Sequence, residues 1–134
     1  MRQFHLEIVT PDGQIFDGEA EAILVRCDSG DVEIMAGHAD YFAPVGIGAA
    51  RLTANGSSKE ASASGGFISV KSGEVKLVCT TFEFADQIDL KRAESAREKA
   101  ENAIKSASND KMLAMAKAKL ARALNRINVS KSRF

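Results

Sequence analysis

Residues 89–128 read DLKRAESAREKAENAIKSASNDKMLAMAKAKLARALNRIN, and this stretch decides the fold. From Asp89 to Phe134 there is neither Pro nor Gly, so nothing in the backbone interrupts a helix. Ala93, Ala96, Ala100, Ala103 and Ala107 recur at spacings of 3, 4, 3 and 4, and Leu113, Ala116, Leu120, Ala123 and Ile127 repeat the pattern. Each series is a seam spaced for helix-on-helix packing. Ser108-Asn109-Asp110 lies between them, and any of the three can cap the second helix. So short a connection returns the chain antiparallel. The spacing therefore predicts a hairpin of helices over 89–107 and 110–128. Its first helix offers almost only Ala to the seam, which buries little area at roughly 25 cal/mol per Å². The helices form by propensity, but their pairing is weak. Opened end to end, about 40 helical residues reach about 60 Å. The second half is thus expected to be a two-state element.

The first half has a different period. Phe4, Leu6 and Ile8 alternate with His5, Glu7 and Val9, and the turn Pro11-Asp12-Gly13 follows. Further short runs span Ala22 to Cys27, Ala49 to Thr53, Phe67 to Val70 and Val75 to Thr81. Asp28-Ser29-Gly30-Asp31, Asn55-Gly56-Ser57-Ser58 and Lys71-Ser72-Gly73-Glu74 punctuate them as turns. Strands this short, broken by Gly, Asn and Asp, predict an antiparallel sandwich or barrel. The fold class expected is α+β: an N-terminal antiparallel β-sandwich over residues 1–84, then a C-terminal antiparallel two-helix hairpin over 85–134.

At 134 residues, 45% apolar and 27% charged, the chain is too ordinary for a disordered, collagenous or disulfide-built protein. No apolar run approaches the ~18 residues of a membrane span. The start, MRQFHLEIVTPDG, carries no signal-peptide pattern, so a soluble protein made inside the cell is expected. Cys27 and Cys79 lack CxxC spacing and read as buried thiols, and no metal set is present. Nor is there a nucleophile, base and orienter to make an enzyme. His5 falls on a strand and His38 in a turn, both as ordinary surface or rim histidines. The net charge of zero hides an asymmetry. Residues 1–84 hold 6 Lys and Arg against 12 Asp and Glu, and residues 85–134 hold 12 against 6. Opposite halves imply different partners.

The basic half contains a candidate anion site. Folding the hairpin about Asn109 sets Arg92, 17 residues before it, level with Arg126, 17 after. Ala96 and Arg122 are each 13 away, and Lys99 is 10 before. Arg122 and Arg126 share a helix face, so three guanidinium groups converge at the open end of the hairpin. Their forks suit phosphate oxygens. The same charges also read as a solvated basic face pairing with Glu94, Glu98 and Glu101. Asp89 reads as a helix N-cap under either view.

Several motifs resemble the epsilon subunits of bacterial F-type ATP synthase. Val9-Thr10-Pro11-Asp12-Gly13 is similar to that family's VTP-x-G turn, and Gly30-Asp31, Ile34 and Gly37-His38-Ala39 to its G-E-x-G-I-L-P-G-H-A stretch. Ser64-Gly65-Gly66-Phe67 with Val70 resembles its S-G-G-F-x-x-V strand, and Ile88-Asp89-Leu90-Lys91-Arg92-Ala93 its I-D-x-x-R-A segment. Glu33, Met35-Ala36 and Asp40 depart from the family pattern, clustered in the loop that faces the membrane rotor ring in the family.

The resemblance implies a non-catalytic central-stalk subunit that couples proton translocation to ATP synthesis and restrains ATP hydrolysis through its C-terminal helices. Its partners would be the gamma subunit, the c-subunit ring and the catalytic beta and alpha subunits, on the cytoplasmic face of the cell membrane as a peripheral protein. Asp31, Glu33 and His38 would meet the rotor ring and stalk. No cofactor is required, but regulatory ATP on the folded hairpin is implied at Glu83, Asp89, Arg92, Ala93, Lys99, Arg122 and Arg126. Lys99 stands where family binders carry Arg. Competing readings are a non-inhibitory rotor subunit with a permanently closed hairpin, a small β-sandwich enzyme, and a nucleic-acid-binding hairpin. The interspersed acids and missing recognition motifs argue against nucleic acid.

Overall fold

Phe4, Leu6 and Ile8 are buried along β1 (Phe4–Thr10), and the residues between them are not. The same alternation gives β8 (Phe67–Lys71) and β9 (Glu74–Val78) one apolar face each. A computed structural model describes residues 2–131. Met1 and residues 132–134, the end of the expected 85–134 unit, lie outside the described residues. The remaining strands are β2 (Gly13–Ala20), β3 (Ala22–Cys27), β4 (Gly30–Met35), β5 (Tyr41–Pro44), β6 (Gly48–Ala54), β7 (Ser57–Ser64) and β10 (Thr81–Phe84). They build two five-stranded sheets, ordered β2-β1-β9-β8-β5 and β10-β7-β6-β3-β4. Leu6, Ile8, Ile68 and Leu77 from one sheet meet Ile23, Val25 and Ile34 from the other in a fully buried core. This is the expected sandwich, with one pairing of the other sense. β1 runs parallel to β9, Leu6 opposite Val75 and Val9 opposite Val78. No hairpin joins these two strands, so the chain between them is long enough to return in either direction.

Asn55 and Gly56 have φ of 54° and 75°, and Ser72 and Gly73 have 51° and 81°. Paired positive φ values are those of tight hairpin turns whose twist matches the strands. Both stand where the sequence placed turns. Cys27 and Cys79 are free and buried, and burial pushes the Cys79 thiol up to about 12.

Two helices follow the sandwich through a short 3-10 turn at Ala85–Gln87. They are α1 (Leu90–Lys105) and α2 (Asp110–Lys131). Asn109 caps α2, its side-chain oxygen accepting from Met112 N at 2.8 Å. The hairpin is closed, and α2 lies along β6 and β7. Asn125 Nδ2 donates to the Gly48 carbonyl oxygen and to Ser62 Oγ, both at 2.9 Å. The seam is uneven. Ala93, Ala100, Ala116, Ala123 and Ile127 are buried, but Ala96 and Ala107 are only half-buried and Ala103 is exposed.

His5 has a role its sequence context does not reveal. Its Nε2 donates to Asp17 Oδ1 at 2.5 Å and its Nδ1 to Glu74 Oε2 at 2.6 Å. One imidazolium thereby staples β2, β1 and β9. The Asp17 bond first and the Glu74 bond second raise its pKa from 6.5 to about 9. The folded value lies above the unfolded one. The staple is therefore complete below pH 6.5 and is lost as pH rises through about 9. Imidazole NMR shifts should titrate near 9, and the stability gap between wild type and His5→Ala should close over that interval. A midpoint near 6.5 would contradict the staple.

Candidate functional site

The hairpin's open end is built where β10 hands over to α1. Ile88 is buried and anchors the crossing. Asp89 then caps α1, its Oδ1 accepting from Arg92 N at 3.2 Å. That cap directs the first turn of α1, and with it Arg92, toward α2. Arg126 on α2 donates from Nε to Glu83 Oε1 on β10 at 2.7 Å. Both side chains are about one-third exposed, so the pair is a modest tie in energy. Its geometric effect is larger. It fixes one edge of the guanidinium and leaves the terminal Nη groups without a described partner.

A cleft of about 190 Å³ opens here, lined by Glu83, Gln87, Ile88, Asp89, Arg92, Ala93, Ala96 and Arg126. A second of about 350 Å³ adjoins it along the helix seam, sharing Ala96 and Arg126 and adding Lys99, Ala100, Ala103, Lys119, Arg122 and Ala123. The antiparallel register read about Asn109 is thus the one that forms. All seven residues singled out for nucleotide line one or the other cleft. Lys119, Gln87 and Ile88 also line them and were missed. Lys119 had a signal, because it lies 10 residues after Asn109 as Lys99 lies 10 before.

The solvated-face alternative needs the neighbouring acids to neutralise these cations. Among the described residues, Arg92, Lys99, Lys119 and Arg122 form no ion pair, and the one pair within α1 joins Arg97 to Glu101 at 3.9 Å. The cations facing the clefts are left uncompensated except at Arg126. Such an arrangement can grip a polyanion from two helices at once.

The three residues expected at the rotor lie apart from the clefts. Asp31 and Glu33 project from one side of edge strand β4, with Asp31 accepting from Arg26 Nε at 2.6 Å. His38 follows in the β4–β5 loop, donating from Nδ1 to the Ala39 carbonyl at 2.7 Å. Asp40, a departure from the family pattern, has its own use: Oδ1 accepts from Ser72 N at 2.9 Å and ties this loop to the β8–β9 turn.

Comparison with known proteins agrees along the whole chain. Residues 3–85 match the family described as ATP synthase, Delta/Epsilon chain, beta-sandwich domain, and residues 86–131 its long alpha-helix domain. The ATP synthase epsilon chain of Bacillus velezensis is 38% identical, covering 97% of this chain and 98% of that one. That of Bacillus subtilis is 40% identical with the same coverage. The fold is similar to a chain of the Euglena gracilis mitochondrial ATP synthase OSCP/F1/c-ring assembly. There the TM-score is 0.79 at 21% identity, over 92% of this chain and 78% of that one. A chain of the Tetrahymena thermophila mitochondrial ATP synthase central stalk and c-ring gives a TM-score of 0.68 at 12% identity, over 97% and 98%. With both units matched in order and relatives matched end to end, the chain belongs to the ATP synthase delta/epsilon family, as an epsilon chain, a non-catalytic subunit of that complex.

Proposed function

We propose that this chain turns with the central stalk of an F-type ATP synthase and reports ATP level to it through its hairpin. The sandwich docks on the gamma subunit and the c-subunit ring, with Asp31, Glu33 and His38 at the ring, on the cytoplasmic face of the membrane. ATP enters the paired clefts of the closed hairpin and bridges Arg92 on α1 to Arg122 and Arg126 on α2. When ATP falls, the alanine seam separates and the basic helices extend toward the acidic surface of the catalytic beta and alpha subunits, restraining hydrolysis. Opposite charge would speed and orient that contact.

The observation carrying this reading is the set of unpaired cations from both helices facing clefts that only the closed hairpin forms. Linkage makes the effect appreciable: a ligand at 100 times its Kd stabilises the state that binds it by about 2.7 kcal/mol. A seam held mainly by alanine is weak enough to respond. A second reading has its own support. Asn125 and Arg126 tie α2 to the sandwich through the chain's own side chains, as a permanently closed, non-inhibitory subunit would require. Co-purification with the gamma subunit of the same cell tests the stalk assignment. Titration calorimetry with millimolar ATP tests the ligand: saturable heat is expected, and its absence from the intact protein would end the nucleotide part.

A further inference from the structure

Among the described residues Glu21 is the one buried carboxylate. It stands between β2 and β3, where the chain crosses from one sheet to the other. Its backbone N donates to the Thr53 carbonyl oxygen at 2.8 Å, and its side-chain Oε1 accepts from Gly56 N at 2.7 Å. Both bonds serve the β6–β7 turn, away from the helix clefts and the rotor loop. The turn closes over two residues, Asn55 and Gly56, with Ala54 paired to Ser57. Both turn residues are exposed, and a Cβ built on Gly56 meets nothing within 4 Å. Asparagine followed by glycine is the dipeptide most open to attack by its own backbone. The glycine nitrogen is one ring closure from the side-chain amide, and glycine has no Cβ to shield it.

We propose that Asn55-Gly56 is a deamidation site of this chain and that Glu21 holds it in check. In the reaction the Gly56 nitrogen gives up its proton and attacks Asn55 Cγ. The new C–N bond closes a cyclic imide, the Cγ–Nδ2 bond breaks, and the side-chain nitrogen leaves with that proton as ammonia. Water then opens the imide on one side or the other, giving aspartate or isoaspartate. No oxidant or reductant is needed. Glu21 opposes the first step twice. A carboxylate 2.7 Å from the Gly56 N–H disfavours loss of its proton, and the hydrogen bond must break before the nitrogen reaches Cγ. The outcome matters to the sandwich. Isoaspartate adds a backbone carbon inside a two-residue turn, so the Ala54–Ser57 and Thr53–Ser58 pairs cannot both keep their register.

The test is ageing of the full chain at mildly alkaline pH, with peptide mass mapping of the conversion at Asn55. Wild type unfolded in urea gives the unguarded rate. Folded wild type is expected to react at least about tenfold more slowly, as befits a hydrogen bond to a charged group. Glu21→Gln keeps the shape and removes the charge, so it should recover most of the unguarded rate at Asn55. Asn102, Asn109, Asn125 and Asn128 have no glycine after them, and their rates should be the same in Glu21→Gln as in wild type. Thr53→Val separates the guard from general loosening. It removes the other side-chain tie across the turn, Thr53 Oγ1 to Ser58 Oγ at 2.8 Å, without touching Gly56 N, and should leave the Asn55 rate near wild type. Equal Asn55 rates in folded and unfolded wild type overturn the proposal. So does an unchanged rate in Glu21→Gln, or an equal rise in Thr53→Val and Glu21→Gln.

Discussion

Gly66→Ala should cost the sandwich more than about 4 kcal/mol and leave little folded protein at 37 °C. Gly66 sits at φ +102°, and a Cβ built there lies 1.8 Å from the Val78 carbonyl oxygen, 2.7 Å from its carbon and 3.0 Å from Cys79 Cα. All three neighbours are backbone, so no side chain can swing aside. Relief requires β8 to part from β9 at the Phe67–Val78 pair, where the central strands of one sheet meet. The backbone conformation adds its own penalty, since a side chain in that region is strained. Clashes that need backbone movement belong to the large-effect class of substitutions. Gly73→Ala is the control. It has φ +81° but nothing within 4 Å of the added carbon, so it should lose only about 1–2 kcal/mol. Urea unfolding of the two variants separates the cases, and near-equal losses would show that the close approach at Gly66 is not what requires glycine.

Arg92→Ala combined with Arg126→Ala should remove ATP-dependent closure of the hairpin. Each guanidinium contributes hydrogen bonds to a charged partner worth about 1.5–3 kcal/mol, so one substitution lowers affinity by roughly 10- to 150-fold and two move it out of the millimolar range. The single variants should differ from each other. Arg92 has no described ion-pair partner, so Arg92→Ala affects the liganded state alone. Arg126 also binds Glu83 at 2.7 Å, so Arg126→Ala loosens the closed hairpin even without ATP. Glu83→Gln removes the same tie while leaving every cation in place. Arg126→Lys should keep part of the attraction and lose the fork. Calorimetry with ATP reads the first effect, and hydrogen exchange of α2 without ATP reads the second. Undiminished ATP heat in the double variant would remove the bridge on which the regulatory reading depends.

How much of this was legible in the sequence differs between the two halves. The hairpin was, because its information is local: alanine at 3 and 4 spacing, no Pro or Gly, and an Asn where the chain turns. The register about Asn109 then set Arg92, Lys99, Arg122 and Arg126 along the clefts without any knowledge of the sandwich, whereas Glu83, Asp89 and Ala93 came from the family resemblance. β7 was not legible. Its sequence, SSKEASAS, looks like a continued polar turn, but Ala61 and Ala63 enter the core and Ser62 and Ser64 are buried on the other face. Small residues suit that strand because α2 lies over it and Asn125 reaches down to Ser62. Only tertiary packing supplies that reason. β2, β4, β5 and β10 were hidden for related causes, each having too few alternating apolar residues to stand out. The parallel β1–β9 pair depends on contacts almost seventy residues apart in sequence. His5 looks ordinary in the sequence because Asp17 and Glu74 come from two other strands.

The central claim is that closure of the hairpin is coupled to ATP. Spin labels on Ser108→Cys at the hairpin tip and Ser57→Cys on the sandwich report it directly, since both positions are exposed and the native Cys27 and Cys79 are buried. With millimolar ATP, pulsed electron resonance should give one narrow distance distribution, that of the closed form. Without ATP a longer and broader population should appear, and Arg92→Ala with Arg126→Ala should show it at every ATP concentration. Identical narrow distributions with and without ATP would contradict the coupling and leave a hairpin that stays shut.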